Sequence, residues 1–390
     1  MEQHNTNLRI LRQMCQMCQY KLQPTSGQER ALEEVLWRCR LLYNTALEQR
    51  ITWWCRGQGR LVSRFQREGA LKDVRRELPE DAAVHGYVLQ DVLTRLERTY
   101  QAFFRPVQAG YARCQGRGRY HSFMYREYGE VVPLDNRSLV LSKIGRIAVR
   151  WGRPIVSTIK TVTVSREADG WYVSFFCAEV PTQSMSPTGK ESGIDVGLKV
   201  SLITAEGAAV ENPRHHWRAE TALTKAQKRL SRRKKRSKRW WKAMRLVAKK
   251  YQKGRRQRRD FQHKTAPALV RAHDVLYLEG LQVAHMVRHR HLSTSISDAG
   301  WYQFRTMLAD KAAYAGKQVV LVTPAYTSQE CSGCGTHVPK SLSVHTHLCP
   351  ACGLVLARDE HAARKFHWRG QRLRGLAGLP AGMNREAAGL

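Results

Sequence analysis

The chain has 390 residues and carries 66 Lys and Arg against 32 Asp and Glu, a formal charge of +34. That length allows two or three domains with at least one sizeable core, and the charge calls for a polyanionic partner, nucleic acid far ahead of a membrane surface. No run approaches the roughly 20 apolar residues of a membrane-spanning helix. The N-terminus lacks the apolar core of a signal peptide. Ten cysteines with one evenly spaced quartet argue for a reducing, cytoplasmic and nucleoid-associated setting rather than a disulfide framework.

Residues 8–24 read as an edge or barrel strand ending at Pro24. Ser26 and Glu29 predict a capping box for a helix whose Leu32, Val35, Leu36, Cys39 and Tyr43 share one face. A second amphipathic helix is predicted from about Tyr87 to Arg105, with Leu89, Val92, Leu93, Leu96, Tyr100 and Phe103 inward. Beyond Pro106 the texture changes to strands. Leu139–Leu141 and Ile147–Trp151 flank a turn at Gly145, and Thr161–Ser165 and Trp171–Cys177 flank Asp169-Gly170, a strong hairpin signal. Short strands at this spacing predict a small barrel, completed by the N-terminal strand. Residues 182–190 form a polar linker. A third region, from Ser192, alternates strands (194–204, 275–278, 319–322) with a long basic helical stretch and a helix at Trp301–Ala315, which predicts a mixed α/β layer. After Trp368 a tail rich in Gly, Arg and Ala is expected to be disordered.

Cys331-x-x-Cys334 and Cys349-x-x-Cys352, each pair followed by Gly, predict one structural zinc with four thiolate ligands and no open position. His345 and His347 are substitute ligands by composition, but alternate like residues of an exposed strand. Cys15 and Cys18 form an unmated pair whose side chains would face opposite sides of a strand, as ordinary packing requires. Arg232, Arg233, Lys234, Lys235, Arg236, Lys238 and Arg239 lie in a basic stretch from Lys225 to Arg259, with Trp240 and Trp241 interleaved. Acidic partners are scarce there, so a phosphate backbone is the expected counter-charge, RNA or DNA.

In so basic a chain, three carboxylates are conspicuous. Asp195 lies in Gly-Ile-Asp-Val-Gly, Glu279 closes an apolar run from Val275, and Asp359 opens a helix. If they converge, they can hold two Mg²⁺ ions about 4 Å apart for phosphodiester hydrolysis. No Gly-x-Ser-x-Gly and no phosphate-cradling Gly-rich loop with its Lys occurs, which argues against serine-nucleophile and ATP-driven chemistry.

At these residues the sequence resembles the TnpB family of insertion-sequence RNA-guided DNA nucleases, relatives of type V CRISPR effectors. The likeness runs from about Tyr20 to Phe366. It includes Tyr-Lys-Leu-Gln-Pro-Thr at 20–25, Cys39-Arg-Leu-Leu-Tyr-Asn44, Val88-Leu-Gln-Asp-Val-Leu93 and Gly116-Arg-Gly-Arg-Tyr-His-Ser-Phe123. It continues with Arg258-Arg-Asp-Phe-Gln-His-Lys264, Ser295-Ile-Ser-Asp-Ala-Gly-Trp301 and Tyr326-Thr-Ser-Gln329.

The resemblance implies a multidomain α/β protein. Its parts would be a β-barrel wedge domain (1–24 and 107–190, with the linker) carrying a helical recognition insertion (25–106), and a RuvC domain of RNase H-like fold (191–329 and 355–368). A zinc-ribbon insertion (330–354) and the tail (369–390) complete it. It further implies that Asp195, Glu279 and Asp359 bind magnesium. A guide RNA made from the transposon end would direct a monomeric protein to a double-stranded DNA target next to a short motif. Tyr87 and Gln90 match positions that contact that motif in relatives; core packing of Tyr87 is the competing reading.

Two departures stand out. The family's Asp-Arg-Asp-x-Asn is here Ala357-Arg358-Asp359-Glu360-His361, which leaves the trio intact only if the second Asp is the ligand. Relatives also show Pro and a Phe-Lys pair where this chain has Ala112 and Cys114-Gln115. A nuclease-inactivated RNA-guided repressor, and an RNA-independent transposase or accessory factor, are the alternative functions.

Overall fold

The computed structural model describes residues 15–377 except the segments 57–63, 106–109, 128–130, 324–328 and 341–343 and the single positions 117, 136, 153 and 156. The predicted strand residues 8–14, Tyr326 to Ser328 and the tail from residue 378 therefore lie outside the described residues. The chain divides into two units, Met1–Pro181 and Thr182–Leu390.

The first unit begins with β1 (Gln16–Gln23), then α1 (Ser26–Cys55), α2 (Arg64–Glu77), α3 (Pro79–Ala82) and α4 (Gly86–Phe104). Six strands follow: β2 (Ser122–Tyr125), β3 (Val131–Asp135), β4 (Ser138–Leu141), β5 (Gly145–Arg150), β6 (Thr158–Glu167) and β7 (Gly170–Ala178). Alternation along β1 buries Cys18, Tyr20 and Leu22 beneath the predicted faces of α1 and α4, giving one continuous core. The sheet order is β2-β6-β7-β1-β5-β4-β3, antiparallel throughout.

Two expectations change here. The order is linear, with β2 and β3 at its two ends, so the predicted barrel is an open, half-barrel sheet. And β1 is its central strand, not an edge, because β7 and β5 pair with its two sides.

Two local corrections have simple causes. The capping box is one residue earlier than predicted: Thr25 N donates to Gln28 Oε1 at 2.9 Å, and Gln28 N donates to Thr25 Oγ1 at 3.4 Å. Thr25-x-x-Gln28 satisfies the same rule as Ser26-x-x-Glu29, and the strand ending at Gln23 decides between them. Phe103, predicted inward, is 36% exposed, because α4 ends one residue later and its last turn overhangs the core.

The second unit is built on β8 (Glu191–Val196), β9 (Val200–Thr204) and β10 (Ala209–Glu211). Then come α5 (His215–Ser231), α6 (Lys238–Ala272), β11 (Val275–Glu279), α7 (Val283–Met286), α8 (Ser293–Ala299), α9 (Trp301–Tyr314) and β12 (Gln318–Val322). A ribbon of β13 (Thr346–Leu348) and β14 (Val355–Ala357) leads into α10 (Arg358–Ala377). The sheet order is β10-β9-β8-β11-β12: β10, β9 and β8 run antiparallel, while β8, β11 and β12 are parallel. This is the mixed α/β layer predicted. The apolar run 275–278 is buried throughout, as a parallel strand covered on both faces requires.

α10 crosses β8 and β11 at contact distance, which two glycines allow. A Cβ on Gly193 would lie 1.9 Å from the Ala363 carbonyl oxygen, and one on Gly370 would lie 1.9 Å from the Tyr277 ring. The expected disordered tail is thus corrected: residues 369–377 continue this helix, and Arg374 and Gln371 bind Glu191 while Tyr277 donates to it at 2.8 Å. Gly and Arg misled the compositional reading, since one Gly is a packing device and one Arg a buried-side partner. The predicted linker is also fastened. Thr188 N and Gly189 N donate to the Asp274 carboxylate at 2.7–2.9 Å.

A candidate acid site, a cysteine cluster and a basic hairpin tip

The parallel register pairs Leu278 with Ile194, so the next residues, Glu279 at the end of β11 and Asp195 one residue before the end of β8, lie on neighbouring strands side by side. Asp359 approaches from the first turn of α10, one turn before Ala363 seats on Gly193. All three side chains are half-buried. Burial first, then the charges of Glu279 and Asp359, push the Asp195 carboxyl well above its ordinary range, and Arg358 lowers it only in part. Burial raises Glu279 to about 7. Arg358 Nε lies 3.2 Å from Asp359 Oδ1.

A carboxylate cluster that raises its own cost of ionisation is short of positive charge. Hard oxygen donors in that state suit a hard divalent cation such as Mg²⁺. The trio is more open than a single-ion cage. Among the described residues, the groups of three or more candidate ligands within 4.8 Å of one another are at the cysteines.

The four predicted cysteines do come together. Cys331, Cys334, Cys349 and Cys352 have Sγ atoms all within 4.8 Å, with Cys331–Cys352 at 3.7 Å and Cys334–Cys349 at 3.5 Å. Thiolates 2.3 Å from a tetrahedral zinc sit about 3.8 Å apart, so the donor set fits that ion. The two knuckles are built alike. Gly335 N donates to the Cys331 carbonyl and Gly353 N to the Cys349 carbonyl, and both glycines have φ near +75°. The Thr336 hydroxyl, 3.2 Å from Cys334 Sγ, and then the Thr336 backbone N–H lower that thiol to about 6, which favours the ligating thiolate. The ribbon's second strand reaches Ala357, three residues past the predicted boundary.

His347, expected on an exposed strand, is fully buried. Its ring stacks on His361 with centroids 3.6 Å apart and planes 14° from parallel. One nitrogen of each ring falls within 4.8 Å of Cys331 Sγ. Nearly parallel rings cannot both point in-plane lone pairs at one ion, so the quartet is the better donor set.

The basic stretch is not one helix. α5 and α6 form a hairpin with a small apolar seam of Leu223, Ala226, Leu230 and Val247. Arg232, Arg233, Lys234, Lys235 and Arg236 make the turn, while Lys238 and Arg239 open α6. Arg236 is left-handed at φ +66°, and Ser237 caps α6 by accepting from Trp240 N at 3.1 Å. The cations therefore crowd the positive end of a 35-residue helix, where its dipole repels them, and an anion would relieve both costs. Trp240 and Trp241 pack edge to face beside this tip.

Tyr87 and Gln90 belong to the first unit. They sit half-buried in the first turns of α4, where the His85 ring accepts from Tyr87 N at 3.3 Å and the Gln90 carbonyl accepts from Arg126 at 3.2 Å.

Sequence reasoning gave no role to Glu330, Lys365 and Arg369, and noted His361 only as a departure from the family motif; the four join the ribbon to α10. The four-residue spacing of the last three on one helix face was a usable signal.

A family model described as "Probable transposase" matches residues 175–290, one described as "Cas12f1-like, TNB domain" matches 301–366, and one described as "Helix-turn-helix domain" matches 14–59. A Streptomyces pristinaespiralis protein named "Putative RNA-guided DNA endonuclease" is 33% identical over 366 residues, 92% of this chain and 90% of its own. An Escherichia coli K12 protein, "Putative RNA-guided DNA endonuclease InsQ", is 31% identical over 71% of this chain and 73% of its own. A Cas12f1–guide RNA–target DNA complex overlaps 90% of this chain and 98% of its own at 11% identity and a TM-score of 0.36. Among the described residues, no helix is long and apolar enough to cross a membrane.

Proposed function

The chain belongs to the TnpB family of insertion-sequence proteins, and from that premise we propose that it is an RNA-guided, Mg²⁺-dependent endonuclease cutting double-stranded DNA beside a short motif. The observation that carries the reading is the register of β8 and β11. It sets Asp195 beside Glu279, under the field of Asp359. These three carboxylates would hold the metal, and a four-thiolate zinc would brace the ribbon.

Magnesium held there supplies an acidified water and neutralises charge on the scissile phosphate. The protein's own part is to keep three oxygen donors aligned near two strand ends and one helix turn, where burial and mutual repulsion make the ionised form of Asp195 costly and burial does the same for Glu279, so that a cation is favoured there. The cationic hairpin tip of α5 and α6 would bind the phosphates of the guide or its target. Tyr87 and Gln90 would read the adjacent motif. We assign the sheet and α10 to a RuvC-type nuclease domain, acting as a monomer with its RNA in the cytoplasm.

Ala357 favours the intact trio over the inactivated repressor. It lies in β14, opposite Thr346 of the ribbon, so the first position of the family's acidic pair falls on the ribbon strand. The test is Asp195→Ala in the RNA-bound protein. It should keep its co-purified RNA and lose cutting of a matched duplex, and cutting by a clean mutant preparation would refute the assignment.

A further inference from the structure

α10 is two-sided. Asp359 and Ala363 share the face that meets the sheet. His361, Lys365 and Arg369, at successive four-residue steps, share the face that meets the ribbon.

Each of the three grips the knuckle of Cys331. His361 Nε2 accepts from Ser332 N at 2.9 Å, and Lys365 Nζ donates to the Cys331 carbonyl at 3.5 Å. Glu330, the residue before Cys331, pairs with Lys365 at 3.0 Å and Arg369 at 2.6 Å. Lys365 is 1% exposed and His361 fully buried, so these are interior contacts. The second half of the ribbon adds two more. Arg358 N donates to the His345 carbonyl at 2.8 Å, and His347 stacks on His361.

Every one of these groups lies within ten residues of Asp359 in the helix or within a few residues of a zinc-type cysteine in the ribbon. In small thiolate sites of this kind, metal binding is coupled to folding, so the ion helps fix the shape of the knuckle.

We propose that His361 is a positioning residue: with Lys365 and Arg369 it locks the metal-filled Cys331 knuckle onto α10, so that zinc in the ribbon sets where Asp359 stands at the acid site. The proposal rests on the reading of Asp359 as a magnesium ligand. It makes the ribbon part of the nuclease centre's alignment rather than a separate stabilising module. Outer contacts of this kind hold ligands in place, and losing them costs about 10- to 100-fold in metal affinity or activity.

The experiment uses the full chain with its RNA. Hydrogen exchange is followed at amides 362–366, with zinc bound and after chelation, in wild type, His361→Ala, His361→Asn and Glu330→Gln. Zinc content and the Mg²⁺ concentration for half-maximal cutting are measured alongside. Stripping zinc should speed exchange in that turn at least tenfold. His361→Ala should do the same with zinc still bound and raise the Mg²⁺ requirement about tenfold. His361→Asn, which keeps an acceptor for Ser332 N, should return both toward wild type, and guide-RNA affinity should stay level in all.

Equal exchange with and without zinc would overturn the proposal. So would an unchanged Mg²⁺ requirement in both His361→Ala and Glu330→Gln while Asp359→Ala abolishes cutting. Undiminished cutting by Asp359→Ala would instead sink the functional reading, and the exchange data would still decide whether zinc orders α10.

Discussion

Glu279→Gln gives the sharpest test of the acid site, because its effect without metal is opposite to its effect on catalysis. Burial lifts the Glu279 carboxyl from 4.5 to about 7. A carboxyl whose folded pKa is raised contributes stability below its unfolded pKa, and that contribution is lost as pH climbs through the folded value. Between about pH 4.5 and pH 7 the metal-free protein should therefore lose about 3 kcal/mol from this group alone, at 1.36 kcal/mol per pKa unit. Asp195, raised by burial and by both neighbours, adds in the same direction.

Urea unfolding in EDTA, at pH 5 and pH 8, reads this directly. Wild type should weaken at the higher pH, and Glu279→Gln should weaken by about 2.5 kcal/mol less, since part of the change already lies below pH 5. Saturating Mg²⁺ should abolish most of the wild-type drop, because the ion takes the proton's place. The variant should nonetheless be inactive as a nuclease. Identical pH dependence in wild type and variant would refute the account of a charge-starved carboxylate pocket.

Other outcomes follow from single contacts. Gly370→Ala should destabilise by about 1–3 kcal/mol despite the better helix propensity of Ala, since the new methyl would overlap the buried Tyr277 ring, whereas Gly375→Ala, with nothing within 4 Å, should gain up to about 1 kcal/mol in the same thermal melt. Arg236→Gly should leave the melting temperature level or higher, since the residue is left-handed, yet weaken RNA binding and flatten its salt dependence in filter binding at graded KCl. An unchanged salt slope would remove the hairpin tip from the nucleic-acid surface.

Much of the site could be read from the chain because each part is local. The Cys-x-x-Cys-Gly knuckles are five-residue turns, and Val275–Leu278 is too apolar for a surface strand. The sheet of the first unit was harder. Alternation told which residues of β1 face inward, but whether a strand is central or terminal depends on partners more than a hundred residues away, Phe175 and Val149 among them. The basic stretch hid its turn because Arg and Lys suit helix and loop alike, and the left-handed Arg236 carries no Gly or Asn to mark it. The tail misled because composition is blind to Gly370 as a contact point. His347 was misplaced because a three-residue strand gives too short a pattern to assign faces.

The pairing of β8 with α10 has a consequence for how the molecule is made. The strand that opens the second unit is covered by a helix that begins more than 160 residues later, so a ribosome must deliver nearly the whole unit before that surface can close. Until then Asp195 and Glu279 can align, but the third acid does not yet exist in the growing polypeptide. Synthesis thus leaves the proposed acid site incomplete until residue 359 has been translated, and nascent chains arrested before residue 358 should resist protease less and, on the proposed function, cut nothing.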